Sequence, residues 1–138
     1  MAERRAILEF AEALKHARQT REAVSQAQIA RDALIMLLAS EPERREFRRL
    51  LLNSNCMLSD LHYRLGSRVN ALTYQSSAMN MLGSVRSGEP DLYVDQSLAG
   101  CLDVFSRVDS PRASYWRTQS HEIRARLVAQ GVYIPPAN

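Results

Sequence analysis

The chain has 138 residues, 46% of them hydrophobic and 7% aromatic, with a net charge of +3. That is enough apolar material for one packed core, and too little length for several. It holds no run of about 18 apolar residues able to span a membrane, and MAERRAILEF puts charge where a secretory leader needs its apolar stretch.

The first element is a helix expected over residues 3–39. Ile7, Ala11, Leu14, Ala17, Val24, Ala30, Leu34, Leu37 and Leu38 recur at helical spacing. Its middle, residues 18–28, is polar and alanine-rich, which predicts loose packing or an interface. Ser40-Glu41-Pro42-Glu43 reads as a stop and a restart. Ser40 would be the N-cap, Pro42 would sit in the first turn, and Glu43 would complete a capping box.

The second helix is expected over residues 42–82, a rod of roughly 60 Å at 1.5 Å per residue. Leu51, Leu58, Leu65, Leu72 and Met79 recur every seven residues, as in a helix laid lengthwise against another. Phe47, Leu50, Met57, Leu61, Val69 and Leu82 widen that seam into the stripe a bundle needs. Gly66 is a possible kink and Gly83 a possible end. Gly88-Glu89-Pro90 is a break.

A third helix, about residues 91–108, carries Leu92, Leu98, Leu102, Phe105 and Val108. Ser110-Pro111 restarts the chain as a helix in the capping manner, with Tyr115, Trp116, Ile123 and Leu127, and Gly131 stops it. Nothing alternates with period two. The expected class is all-α: a long antiparallel hairpin over residues 1–88, forming a four-helix bundle on dimerisation, with shorter C-terminal helices and a tail over residues 89–138 in the same domain.

Charge is unevenly spread. All basic residues but Lys15 are arginine, which fits either forked contacts to phosphate or the base composition of the gene. Residues 44–88 hold seven arginines against Glu46 and Asp60, whereas residues 89–109 hold five carboxylates against Arg107 alone. Segregation of this kind bears on partners rather than on fold.

Catalytic and metal chemistry find little support. His16, His62 and His121 are scattered, and no HExxH, GxSxG or glycine-rich phosphate loop occurs. Cys56 and Cys101 lack CxxC or Cys/His metal spacing, and Cys56 has no evident base beside it. That usage points to a reducing compartment and a cytoplasmic protein. Asp91, Asp95 and Asp103 read as a solvated helix face. No cofactor, metal or small-molecule substrate is expected.

A binding surface is better supported. Opposite the seam, a helical projection collects Arg45, Arg49, Cys56, Asp60, Tyr63, Arg64, Ser67, Asn70 and Tyr74, with Arg48 and Arg68 on the flanks. This strip would run roughly 44 Å. Its guanidinium, hydroxyl and amide groups suit phosphate oxygens and ribose 2′-hydroxyls, the groups by which double-stranded RNA is read across its shallow groove. Aromatic residues are too few for single-strand stacking to be the main mode.

The long first helix, the Ser40-Glu41-Pro42 turn, Phe47-Arg48-Arg49, and the series Leu51, Leu58, Leu61, Leu65, Val69, Leu72 together resemble the small RNA-silencing suppressor proteins of insect nodaviruses. The resemblance covers about 70 residues. It implies a homodimeric four-helix bundle lying along double-stranded RNA in the host cytoplasm, with Arg49 in the place of an RNA-contacting arginine. Ser67 and Asp60 fall where the family has further basic contacts. The candidate RNA-binding residues are therefore Arg45, Arg48, Arg49, Tyr63, Arg64, Ser67, Arg68 and Asn70. The alternative function is a helical protein–protein interaction module, a bacterial or phage adaptor or chaperone, using the heptad seam to hold a partner helix.

Overall fold

The computed structural model describes residues 7–9, 19–86 and 92–131, and it is all-α. Residues 7–9 are helical. They are followed by α1 (Thr20–Ser40), α2 (Arg45–Arg64), α3 (Arg68–Arg86), α4 (Leu92–Val108), a single 3₁₀ turn (Ser110–Arg112) and α5 (Ala113–Ala129). Residues 10–18, over which the first helix was expected to continue, lie outside the described residues.

The expected 42–82 rod is two helices. Gly66 adopts φ +80°, a conformation open to glycine at little steric cost. Its N–H donates to Tyr63 O (3.0 Å), and the Ser67 N–H donates to His62 O (2.9 Å). These are the paired bonds of a Schellman stop, which satisfy the last carbonyls of α2 and reverse the chain. The seven-residue series therefore makes no single seam. Leu51 and Leu58 are buried on α2, Leu65 is 41% exposed in the turn, and Leu72 and Met79 are half-buried on α3. Val69 is 78% exposed.

The Ser40 capping box does not form. Ser40 ends α1, and its hydroxyl donates back to Met36 O (3.3 Å). The N-cap of α2 is instead Arg44, without a side-chain cap. The first helix does stop at residue 40, because Pro42 in the following turn cannot continue it.

Eleven of the twenty residues of α2 are buried, so it is the central helix, with α1, α3 and α4 packed around it. The alanine-rich part of α1, expected to pack loosely or to lie at an interface, packs closely on α2. Ala23 and Ala27 are fully buried against Leu58 and Leu61, since a side chain of one methyl group lets two helix backbones approach. Leu34 and Ala30 meet Phe47, Leu50 and Leu51 further along, where Leu8 also packs.

The C-terminal helices are part of the main core. Leu52 and Cys56 of α2 join Leu98, Leu102 and Phe105 of α4 and Trp116, Ile123 and Leu127 of α5 in one apolar cluster. Tyr115, expected on that stripe, is exposed. Asp95 and Asp103, expected on a solvated face, are half-buried and paired, while Asp91 lies outside the described residues. Asp103 accepts from Ser120 (2.6 Å) and pairs with Arg124, and Asp95 lies 3.9 Å from Arg126. Much of the sequence's charge segregation is thus resolved inside the fold, acidic α4 against basic α5.

At the α4–α5 corner, Arg112 Nε (2.7 Å) and Trp116 Nε1 (3.0 Å) both donate to Asp109 Oδ2. The Trp116 hydrogen bond is the main influence holding this carboxyl below its ordinary value; burial opposes it and Arg112 assists. A carboxyl whose pKa is depressed by folding stabilises the fold fully above the unfolded value and loses that contribution as pH falls through the folded one. The thermal midpoint should therefore decline as pH drops below about 3.8, the ordinary value. Asp109→Asn should be less stable at pH 7 and show a shallower decline, both readable by circular dichroism melts.

Candidate nucleic-acid interface

The eight candidate residues fall into two groups. Arg45, Arg48 and Arg49 lie in the first turns of α2 and are all half-buried. Tyr63, Arg64, Ser67, Arg68 and Asn70 gather around the turn that joins α2 to α3. The fifteen residues from Arg49 to Arg64 put roughly 22 Å of helix rise between the groups.

What lies between them is covered. Cys56 and Asp60, expected on the solvent side of the strip, are 3% and 1% exposed, because α4 runs along that side of α2. Three contacts trace its path. The Arg49 guanidinium stands over the Tyr93 ring (5.9 Å), Cys56 is disulfide-bonded to Cys101 (Cα–Cα 5.4 Å), and Asp60 Oδ1 accepts from Arg107 (3.2 Å). The two cysteines, read from sequence as unpaired thiols, form a cross-link between central and covering helix.

The group around the turn is open. Tyr63, Arg64, Arg68 and Asn70 are exposed and Ser67 is half-buried. Arg64 keeps one anchor: its Nε donates to Asp60 Oδ2 (3.2 Å), one turn earlier. That bond fixes the base of the guanidinium, while 42% of the side chain stays accessible. No carboxylate occurs in the sequence between Asp60 and Glu89, and Asp60 is itself buried and paired with two arginines. This end of the α2–α3 hairpin therefore presents positive charge to solvent, beside the exposed aliphatic side chains of Leu65 and Val69.

About a quarter-turn round α2 from the disulfide, a second polar set escaped the sequence reading. Arg31 of α1 donates through Nε to Asn55 Oδ1 (2.6 Å) and stands over the Tyr74 ring of α3 (5.4 Å). Tyr74 donates to Gln28 Oε1 (2.7 Å) and stacks on His62 (5.4 Å). Burial depresses the His62 pKa. Arg48, Asn55 and His62 recur every seven residues, the signal that could have exposed this face; the leucine series beside it drew the attention instead.

Among the described residues no group of three or more His, Cys, Asp or Glu side chains is arranged to hold a metal ion. No described helix is long and apolar enough to cross a membrane. No model of a known protein family, no curated protein and no solved structure matches this chain.

Proposed function

We propose that this protein binds double-stranded RNA without sequence preference, through the α2–α3 end of its bundle, and thereby acts as a viral suppressor of host RNA silencing. It works without catalysis, as a homodimer; the Cys56–Cys101 disulfide removes the cysteine argument for a reducing compartment. One observation carries the reading. Five of the eight residues chosen for phosphate and ribose contacts converge around the Leu65–Gly66–Ser67 turn, in a stretch of chain free of carboxylates. Arg64 and Arg68 supply phosphate contacts, and Tyr63, Ser67 and Asn70 supply donors for ribose hydroxyls. For the dimeric four-helix bundle, Ile29 and Met36, exposed and seven residues apart on α1, offer an apolar contact.

A gel-shift series with a duplex of about 20 base pairs tests this. Affinity should fall steeply with salt, because each neutralised phosphate releases counterions. Arg64→Ala with Arg68→Ala should weaken binding on the order of tenfold for every duplex sequence and flatten the salt slope by about 2. Arg49→Ala should leave binding nearly unchanged, in contrast to what the continuous strip predicts. Absence of any shift at low salt would sink the proposal.

A second reading, a helical protein-interaction module, is favoured by the exposure of Leu65 and Val69 on the same turn, since RNA phosphates gain nothing from aliphatic side chains. Leu65→Asp with Val69→Asp separates the two. It should spare duplex binding if RNA is the ligand and abolish partner capture if a protein is.

A further inference from the structure

Two arginines beside the gap between α1 and α3 take part in no ion pair of the described residues. Among the described residues α1 and α3 do not pack on each other; both lie against α2, and side chains bridge the gap through Tyr74–Gln28 and Arg31–Tyr74. The α2 face below carries His62, Asn55 and Arg48 at seven-residue intervals, each about 10 Å of helix rise from the next. Arg31 spends its Nε on the neutral amide of Asn55 and faces the ring of Tyr74. Neither Arg31 nor Arg48 belongs to any ion pair of the described residues. The Arg48 Nε is wholly removed from solvent and has no hydrogen-bond partner.

A buried guanidinium N–H in that condition is costly, because its desolvation is not repaid by an acceptor. The neighbours of Arg48 along α2 make the site drier. Phe47 and Leu51 are buried in the cluster that also takes in Leu34, with Met81 of α3 against it. Where an acceptor is missing beside a buried donor, an external one fits. The planar fork of arginine selects an oxyanion for that place.

We propose that the α1–α3 groove is a binding site for a small oxyanion ligand, a phosphate ester or a polycarboxylate, held by Arg48 at one end and by the free terminal nitrogens of Arg31 at the other. Duplex RNA is too wide to bring its phosphates down to half-buried arginines between two helices, so this site is separate from the hairpin end and does not depend on the RNA reading.

Thermal melts of the full chain in pyrophosphate and in citrate, each against potassium chloride of matched ionic strength, test the assignment and separate its two chemical sources. A ligand bound only by the folded state should raise Tm by ~8 °C at a hundred times its Kd. Arg48→Met and Arg31→Gln should each abolish most of that rise, whereas Arg68→Ala at the hairpin end should keep it. Arg48→Met is the sharper variant. It retains the apolar stem and removes only the guanidinium, so its ligand-free Tm should equal or exceed that of the parent. The proposal is overturned if neither anion raises Tm above the chloride control. It is equally overturned if the rise survives Arg48→Met or is lost in Arg68→Ala, or if Arg48→Met melts several degrees below the parent without ligand.

Discussion

Replacing Cys56 and Cys101 together by alanine should lower the unfolding free energy by ~4 kcal/mol, the largest loss expected from any pair of conservative changes in this chain. The two cysteines are 45 residues apart. A cross-link closing a loop of that size removes about 13 cal/mol/K of entropy from the unfolded chain, which at 25 °C is ~4 kcal/mol. The bond lies between the central helix and the helix that covers its polar side, so the closed loop contains the whole of α3. Alanine is the better replacement, since serine would add a hydroxyl where the sulfurs are 3% exposed and leave it without a sure partner. With a urea slope of about 2 kcal/mol/M, the unfolding midpoint should shift down by about 2 M. The parent chain unfolded in excess dithiothreitol should approach the same midpoint. If oxidised and reduced parent unfold at one midpoint, the cross-link contributes nothing and α4 is held by its apolar contacts and the Arg107–Asp60 pair.

That cross-link marks the boundary of what was legible in the sequence. The all-α class, the stop near Ser40, the third helix and the restart at Ser110-Pro111 were readable because each is written locally, in apolar spacing or in proline and glycine, although the cap there is Asp109, without a side-chain capping bond, and not Ser110. Gly131, expected to stop the last helix, adopts φ +81°. The 42–82 rod failed for a reason equally local. The turn at Leu65–Ser67 consumes three residues, close to one helical turn, so the apolar series runs through it without losing phase. A seven-residue repeat does not distinguish one long helix from two arms of a hairpin whose apolar faces both turn inward.

The polar strip failed for a different reason. Periodicity identifies which side of a helix is apolar and therefore buried, but it does not establish that the other side is wet. The side bearing Cys56 and Asp60 is covered because groups 45 and 47 residues away meet them there, and no pattern within α2 announces those partners. The four candidates that remained exposed, Tyr63, Arg64, Arg68 and Asn70, are those at the helix end and just beyond it. The two arginines beside the α1–α3 gap were illegible for the same cause. Arg31 and Arg48 differ from other arginines here only in what the fold fails to bring beside them.

Asp60 is the second residue at which a single change should be felt across the fold. Its carboxylate is 1% exposed and accepts from Arg64 Nε and Arg107 Nη2, both at 3.2 Å. Removing one partner of a buried ion pair ordinarily costs about 3–5 kcal/mol, because the remaining charge is stranded. Here both guanidiniums keep some access to water, with Arg107 30% and Arg64 42% exposed, so Asp60→Ala should cost less, about 2–3 kcal/mol. The three truncations should then rank by burial. Asp60→Ala should be the most damaging and Arg107→Ala intermediate, since it unties α4 from α2. Arg64→Ala should lie within about 1 kcal/mol of the parent, as expected for a pair with one end in solvent. Urea midpoints of the three variants and of Asp60→Ala/Arg107→Ala give the coupling directly. A double variant no less stable than Asp60→Ala alone would mean that Arg107 stabilises only through this carboxylate. The same series reaches the proposed function. Asp60→Ala leaves the Arg64 guanidinium unanchored but fully positive, so duplex binding per folded molecule should hold or rise even as stability falls. A loss of binding in parallel with Arg64→Ala would show instead that the Asp60 anchor is needed to aim Arg64 at phosphate.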